Sequence, residues 1–275
     1  MSTAQLPDLT SEYVLSPEQI AEYREKGHIL LKGVCSPEEI KAFRDVIVNA
    51  AMEHNRETRP LEERDTYGKA FLQIMNLWTV DDAVKQYVLS PRFAHIAAQL
   101  MEVDRVRLYH DQALFKEPGG GHTPWHQDQF YWPLDSPRTV TMWMPLVDIT
   151  SVMGSMSFAN GSHEEGYIPI DDQISDASES FFDDHCKDRG YEVTGGGAMS
   201  AGDATFHSGW TLHRAPGNVT DRVREVMTVI YYPDGTTIHE PRNAFQAADH
   251  QTWLDSITPG QPADGKLNPL VYPTL

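Results

Sequence analysis

A histidine and an aspartate that could bind a metal ion lie two residues apart in the run Trp125-His126-Gln127-Asp128. Side chains two residues apart on a strand point to the same side, so His126 and Asp128 can face one ion. A second histidine from elsewhere in the chain would complete a set of two histidines and one carboxylate. That ligand set is typical of non-haem iron(II) oxygenases, so the spacing predicts a metal centre with oxidative chemistry.

A competing local pair is His122 with His126, which has the i, i+4 spacing of a helical zinc site. Such a site requires a helix and usually a glutamate directly after the first histidine. Here Pro124 and the preceding glycine run oppose a helix, and position 123 is threonine. We therefore reject this pair.

The remote histidine must come from the other ten of the twelve in the chain. His207 and His213 both lie in a strand-like stretch after the predicted turn at Gly202 and Asp203. We favour His213, because the turn Pro216-Gly217-Asn218 follows it and leads into a strand that carries arginine.

Arg224 is the arginine that we expect to act beside the metal. We predict that it lies on a strand adjacent to His213, where its guanidinium could bind a carboxylate with bidentate geometry. It is preferred to Arg222 because it alternates with Val226 and Thr228, whereas the other face carries Val223, Met227 and Val229. An ordinary surface salt bridge is the alternative role for such an arginine.

The elements that must position these residues change in character near Val106. Before it, N-cap and Ser-Pro start signals predict helices after Ser16 and Ser36 and another over Pro91–Met101, with a short strand at His28–Leu31. After it, short β-rich runs alternate with turns and predict an antiparallel sandwich or barrel. These runs are Val106–Lys116, Thr139–Val147, Ser155–Phe158, Ala204–Phe206 and Val223–Tyr232.

Two stretches lack regular periodicity. Glu164–Gly197 is acidic and punctuated by glycine, which predicts a long excursion between strands that could close over a substrate. The stretch from Pro259 to the C-terminus is rich in proline and is expected to be extended.

Composition narrows the classes of protein. The 275 residues are 40% hydrophobic and 23% charged, which is typical of a globular protein with ample core. A net charge of −18 argues against nucleic acid and anionic membranes as partners, and mildly against a polyphosphate substrate such as an acyl-CoA.

No apolar run is long enough to span a membrane, and the N-terminus does not resemble a signal peptide. Cys35 and Cys186 suggest no disulfide framework, so we expect a cytoplasmic protein.

Several motifs taken together resemble the phytanoyl-CoA dioxygenase family of Fe(II)- and 2-oxoglutarate-dependent oxygenases. They are His126-Gln127-Asp128, Asn160-Gly161-Ser162-His163, and His213 with Arg224 eleven residues later. The resemblance extends from the predicted helix after Ser16 to Leu267-Asn268-Pro269-Leu270. It implies a mainly β fold with flanking helices, a double-stranded β-helix or jelly-roll of cupin type. We expect one domain over residues 1–275, with a helical part to about residue 104, a jelly-roll core over about 105–235 and an extended C-terminal tail.

The resemblance also implies the roles of the site residues. His126, Asp128 and His213 would bind iron, and Arg224 would pair with the far carboxylate of 2-oxoglutarate. Further positions that match the family's co-substrate pocket are Gln112, Trp143 and, more loosely, Gln73. Relatives often carry a hydroxyl residue two positions after the distal histidine, where this chain has Ala215. Thr141 or Tyr109 could supply the missing hydrogen bond.

The expected reaction uses Fe(II), 2-oxoglutarate and O₂ to hydroxylate an unactivated C–H bond of a small organic molecule, with release of succinate and CO₂. Halogenating relatives carry a small residue in place of Asp128, so the carboxylate here favours hydroxylation. The same cofactors also serve desaturation, cyclisation or endoperoxidation, and a cupin-like binding protein without turnover is a further alternative.

Aromatic residues beside the motifs, Phe130, Tyr131, Trp132 and Trp210, suit an apolar substrate or simply the core. A monomer or a homodimer is the expected state.

Overall fold

The computed structural model describes residues 6–171 and 174–273, within which seven α-helices and eleven β-strands occur. Residues 1–5, part of the N-terminus considered above, and residues 172–173 of the acidic excursion lie outside the described residues. In chain order the elements are α1 (Pro17–Lys26), β1 (His28–Leu31), α2 (Pro37–His54), α3 (Thr66–Ala70), β2 (Leu72–Met75), α4 (Asp82–Val88), α5 (Pro91–Met101), β3 (Val106–Lys116), β4 (Thr123–His126), β5 (Val140–Pro145), β6 (Ser157–Ala159), α6 (Asp176–Arg189), β7 (Val193–Gly195), β8 (Ala204–Ser208), β9 (His213–Ala215), β10 (Arg224–Pro233), α7 (Ala244–Trp253) and β11 (Leu270–Tyr272).

The first two long helices begin at the capping signals seen in the sequence. Ser16 and Ser36 each accept a hydrogen bond from the backbone N–H three residues later, and the side chains of Gln19 and Glu39 accept one from the backbone N–H of the cap residue. Gly27 ends α1 in the left-handed conformation, with φ of 79°. A Cβ atom there would lie 2.4 Å from Nδ1 of His163, so only glycine fits.

Two antiparallel sheets form the body of the protein. The larger has the order β1-β8-β5-β10-β3-β11, with β2 also paired to β3, and the smaller has the order β4-β9-β6-β7. One face of the larger sheet packs on the N-terminal helices, where Met142, Met227 and Val229 join the main hydrophobic core. The predicted jelly-roll with flanking helices is confirmed.

A β-bulge interrupts the pairing of β3 with β10. Val229 pairs with Asp111 and Tyr231 with Leu108, so Tyr109 and His110 together lie opposite Ile230. An extra residue in one strand interrupts the alternation of side chains between the two faces of the sheet. Tyr109 and Ile230 consequently share a cluster with Trp132 on the side of the sheet opposite the helices.

The two stretches without periodicity contain more structure than the sequence predicts. The acidic excursion holds α6 and β7, and α6 packs Phe182 and Cys186 against Trp125. Helix α7 precedes the proline-rich stretch, with Asn243 as its N-cap accepting from the N–H of Gln246. The expected extended tail after residue 235 therefore begins with a helix and ends with the short strand β11.

Among the described residues, no helix is both long and apolar enough to cross a membrane. Cys35 and Cys186 are both buried free thiols.

Candidate metal centre and co-substrate pocket

The smaller sheet brings the three predicted metal ligands together. His126 ends β4, His213 begins β9, and the two residues pair directly across these strands. Asp128 begins a short 3-10 turn immediately after β4. One ligand atom from each of the three side chains lies within 4.8 Å of the others, the arrangement needed to share one ion.

Backbone carbonyls fix the orientation of both imidazoles. Nδ1 of His126 lies 2.8 Å from the carbonyl oxygen of Pro124, and Nδ1 of His213 lies 2.9 Å from that of Thr211. A carbonyl can only accept, so each Nδ1 donates and each Nε2 keeps a lone pair for a metal. Both Nε2 atoms are 3.5 Å from Oδ1 of Asp128.

The two carboxylate oxygens of Asp128 have different neighbours. Oδ2 accepts hydrogen bonds from Oγ1 of Thr141 at 2.8 Å and from Nε2 of His207 at 3.1 Å, whereas Oδ1 faces the two imidazoles. Burial raises the pKa of Asp128, but His213, His126 and His207 outweigh it and hold that pKa well below its usual range. The site therefore keeps Asp128 ionised with one oxygen directed at the metal position.

The rejected histidines are accounted for in different ways. His207 is buried and contacts Oδ2 of Asp128, so it supports a candidate ligand and is outside the candidate ligand set. His122 is exposed and lies near Asp176.

The prediction that Arg224 lies on a strand adjacent to His213 is wrong. β9 belongs to the smaller sheet and β10 to the larger, where β10 pairs with β3 and β5. The turn Pro216-Gly217-Asn218 leads from one sheet to the other, so Arg224 and His213 line the same cavity from opposite walls.

Arg224 is a buried cation that lacks a carboxylate partner among the described residues. Only 2% of it is exposed, its Nη1 donates to the carbonyl of Gly154 at 2.7 Å, and its buried Nε has no partner. Burial lowers its pKa to about 9, so it remains protonated at neutral pH. An unpaired buried guanidinium is costly, and an anion bound in the cavity would satisfy it.

Lys116 places a second buried amine next to Arg224, with which it pairs in the β3–β10 register. Its Nζ donates to the carbonyl of Gly121 and to Oγ1 of Thr123. Burial, with a smaller contribution from Arg224, lowers its pKa to about 6. Thr123 lies directly across from Ala215 and lines the cavity, so a hydroxyl faces the position where relatives often carry one.

Of the other residues predicted for the pocket, Gln73, Gln112, Thr141 and Trp143 line this cavity and Tyr109 does not. Gln73 donates through Nε2 to Oε1 of Gln112 at 2.9 Å, and Trp143 stacks 5.3 Å from the Arg224 guanidinium. Thr141 directs its hydroxyl at Asp128 and Tyr109 directs its hydroxyl at Asp249, so neither hydroxyl is free for a co-substrate.

The cavity, about 990 Å³ when the open solvent at its mouth is counted, is lined by side chains of both sheets and of α7. Of the four aromatic residues noted in the sequence, Tyr131 and Trp132 line it, whereas Phe130 and Trp210 do not. The sequence analysis missed Asp249 and Trp253, which line it from α7. The pattern of Asn243 followed by Gln246, a helix N-cap signal, could have revealed that helix.

A jelly-roll with this metal triad and a buried arginine across the cavity defines the class of non-haem iron oxygenases that use a carboxylate co-substrate. The family model described as phytanoyl-CoA dioxygenase matches residues 23–226, and the chain belongs to that family. The resemblance inferred from the motifs is thus confirmed. The class of enzyme, an Fe(II)- and 2-oxoglutarate-dependent oxygenase, is also confirmed.

Individual relatives span nearly the whole chain. The phytanoyl-CoA dioxygenase domain-containing protein 1 of Danio rerio is 25% identical over 290 residues, covering 86% of this chain and 96% of the relative. The α-ketoglutarate-dependent carbocyclase SnoK from nogalamycin biosynthesis is 27% identical, with a TM-score of 0.75 over 93% of this chain and 96% of its own. The epimerase SnoN of the same pathway, 24% identical with a TM-score of 0.74 over 92% and 97%, shows the shared fold.

Proposed function

We propose that this protein hydroxylates an unactivated C–H bond of a small organic molecule and releases succinate and CO₂. The observation that carries the proposal is one cavity that holds both an oriented triad and an unpaired buried arginine. Iron bound with 2-oxoglutarate and O₂ supplies an oxidant strong enough for such a bond.

The residues of the chain would divide the work between the two walls of the cavity. Nε2 of His126, Nε2 of His213 and Oδ1 of Asp128 would bind iron on one face and leave the remaining positions open. From the opposite wall, Arg224 would bind the far carboxylate of 2-oxoglutarate, with Lys116 and the hydroxyl of Thr123 beside it. Gln112, Gln73 and Trp143 would border the co-substrate.

Hydroxylation is favoured over halogenation because Asp128 fills the position that a halide would need. The triad and Arg224 together also disfavour a binding protein without turnover. Cyclisation is the second candidate, since the similar SnoK is a carbocyclase. Desaturation and endoperoxidation would use the same residues.

A monomer or homodimer acting in the cytoplasm stays our expectation.

Two measurements test the proposal in sequence. Anaerobic addition of Fe(II) and 2-oxoglutarate should give a weak visible charge-transfer band, and its absence would favour a binding protein. A substrate panel scored for succinate and product mass should then yield a product with one added oxygen atom. A product that has lost two hydrogen atoms and gained no oxygen would indicate desaturation or ring closure in place of hydroxylation.

A further inference from the structure

The cavity has two chemically different ends, set by the strand β10. Arg224 pairs with Lys116 at one end, Thr228 pairs with Gln112 in the middle, and Ile230 lies opposite the bulge at Tyr109 and His110. Six residues of strand separate Arg224 from Ile230, which corresponds to roughly 20 Å. The buried guanidinium of Arg224 and the buried amine of Lys116 are therefore far from the end at Ile230.

The distant end is lined by α7 and by the bulge. Asp249 and Trp253 lie one helical turn apart and both line the cavity. Oδ2 of Asp249 accepts a hydrogen bond from the hydroxyl of Tyr109 at 2.9 Å. His110, placed next to Tyr109 by the bulge, lies 5.9 Å from the ring of Trp253 and 6.2 Å from that of Trp132.

Asp249 has no cationic partner among the residues described. The only other cavity-lining arginine, Arg214, is already paired with Glu179 at 2.8 Å and Asp183 at 3.4 Å. Burial lowers the pKa of His110 to about 3, so this imidazole is neutral at physiological pH. Burial also raises the pKa of Asp249 to about 7, outweighing the hydrogen bond from Tyr109. A cation beside this carboxyl would favour its ionised form.

Aromatic side chains line the cavity together with this carboxyl. Trp132 lies 5.2 Å from the ring of Tyr109, and Tyr67 lines the same cavity. A carboxylate among aromatic faces suits an alkylammonium group, which is attracted both by the charge and by the ring faces. A polyphosphate carrier would instead require cations at this end, and the described lining offers none that is unpaired.

Resting on the proposed function, we propose that the substrate carries a protonated amine on an apolar body and that Asp249 binds this amine. Asp249 would hold the amine, and the rings of Trp132 and Trp253 would pack against the apolar body, which would lie between the amine and the metal. The target C–H bond would be presented to His126, Asp128 and His213 from the side opposite Arg224.

The test uses three probes that share a naphthyl group and differ in the charge of the end group. They are 2-(1-naphthyl)ethylamine, 2-(1-naphthyl)ethanol and the anion of 1-naphthylacetic acid. Each is titrated calorimetrically, without O₂, into the protein loaded with Fe(II) and 2-oxoglutarate. The amine should bind about tenfold more tightly than the alcohol, and the carboxylate most weakly. Asp249→Asn should reduce the preference for the amine to about threefold or less, whereas the exposed-site control Asp264→Asn should keep it.

The charge-transfer band of Fe(II) and 2-oxoglutarate, recorded on the same samples, separates the two proposals. A normal band in wild type and Asp249→Asn, with amine preference lost only in the variant, supports the inference. Equal binding of the three probes, no binding of the amine, or preference that survives Asp249→Asn overturns it. A missing band in wild type overturns the proposed function instead, whatever the amine does.

Discussion

Asp128 shows how one side chain can serve the metal and still be held in place by the protein. Its Oδ1 lies 3.5 Å from each imidazole Nε2, while Thr141 and His207 hold Oδ2. The H-x-D spacing predicts the ligand, since two residues on a strand share a side. It cannot predict His207, because that contact depends on how β8 of one sheet faces the end of β4 in the other.

Replacing Asp128 by glycine should abolish coupled formation of succinate and hydroxylated product while preserving the fold. The variant removes the only carboxylate of the triad. Circular dichroism and succinate assays would measure both effects, with His122→Ala as a control at the rejected histidine. Full activity in Asp128→Gly would refute the triad.

Replacing His207 by alanine should weaken Fe(II) binding by about 10- to 100-fold, as loss of a group that orients a ligand typically does. Thr141→Val should act in the same direction because it removes the second hydrogen bond to Oδ2. Competition with a chelator gives the affinity, and His207→Gln should recover part of the loss. Unchanged iron affinity in His207→Ala would show that the contact is incidental.

Replacing Arg224 by methionine should raise the dissociation constant for 2-oxoglutarate by about 100-fold, the loss expected for a buried charge-assisted pair. The same variant without ligand should unfold at an equal or higher temperature, because it removes an unpaired buried charge. Arg222→Met, at an exposed position two residues earlier, is the matched control. A 2-oxoglutarate affinity equal to that of wild type would exclude Arg224 from the co-substrate site.

At the scale of elements, the sequence predicts best where the local signals are strong. α1 begins where predicted, and β1, α5 and β3 have the predicted bounds, because caps, prolines and glycines near their ends act locally. The three-residue strands β6, β7, β9 and β11 carry little periodicity and form through tertiary pairing. The assignment of β10 to the wrong neighbour follows from the same limit, since no local signal tells which sheet a strand joins.

Glu179 ties helix α6 to both metal-bearing strands. Glu179 accepts from the backbone N–H of Trp125 at 2.8 Å and from Arg214 at 2.8 Å. These contacts hold α6 on the outside of the smaller sheet, and Ile174 before it reaches the cavity. Within the acidic excursion, Ile174 is the described residue that lines the cavity.

Replacing Glu179 by alanine should destabilise the protein on the order of 1 kcal/mol and speed proteolysis within residues 164–197. Limited proteolysis followed by mass spectrometry would locate the cuts, with the exposed Asp188→Ala as control. In wild type, added 2-oxoglutarate and substrate should protect this stretch if it covers the cavity. Identical cleavage with and without ligands would count against a lid.

At the scale of the whole molecule, a buried cation in the cavity contrasts with the negative net charge of the chain. The chain carries a net charge of −18, yet the protonated guanidinium of Arg224 lies buried in the wall of the cavity. The long-range field therefore repels 2-oxoglutarate, and the attraction begins only inside the cavity. The composition predicts the outer field, but only the fold reveals the inner one.

Added salt should consequently speed the binding of 2-oxoglutarate. Raising the ionic strength from about 0.01 M to about 0.15 M shortens the screening length from about 30 Å to about 8 Å and weakens the outer repulsion. Stopped-flow recording of the anaerobic charge-transfer band would give the association rate constant at each salt concentration. A rate that falls with salt would mean that a local cationic entrance dominates.

The position of α7 along the chain has a consequence for how relatives are sorted. The family match ends at residue 226, whereas Asp249 and Trp253 come later. The metal triad and Arg224 thus lie inside the matched core, whereas Asp249, the residue inferred to bind the amine of the substrate, lies beyond it with Trp253. A comparison of relatives over that core alone would group enzymes that share the iron and 2-oxoglutarate chemistry. The side chain at the position of Asp249 would say more about which substrate each relative oxidises.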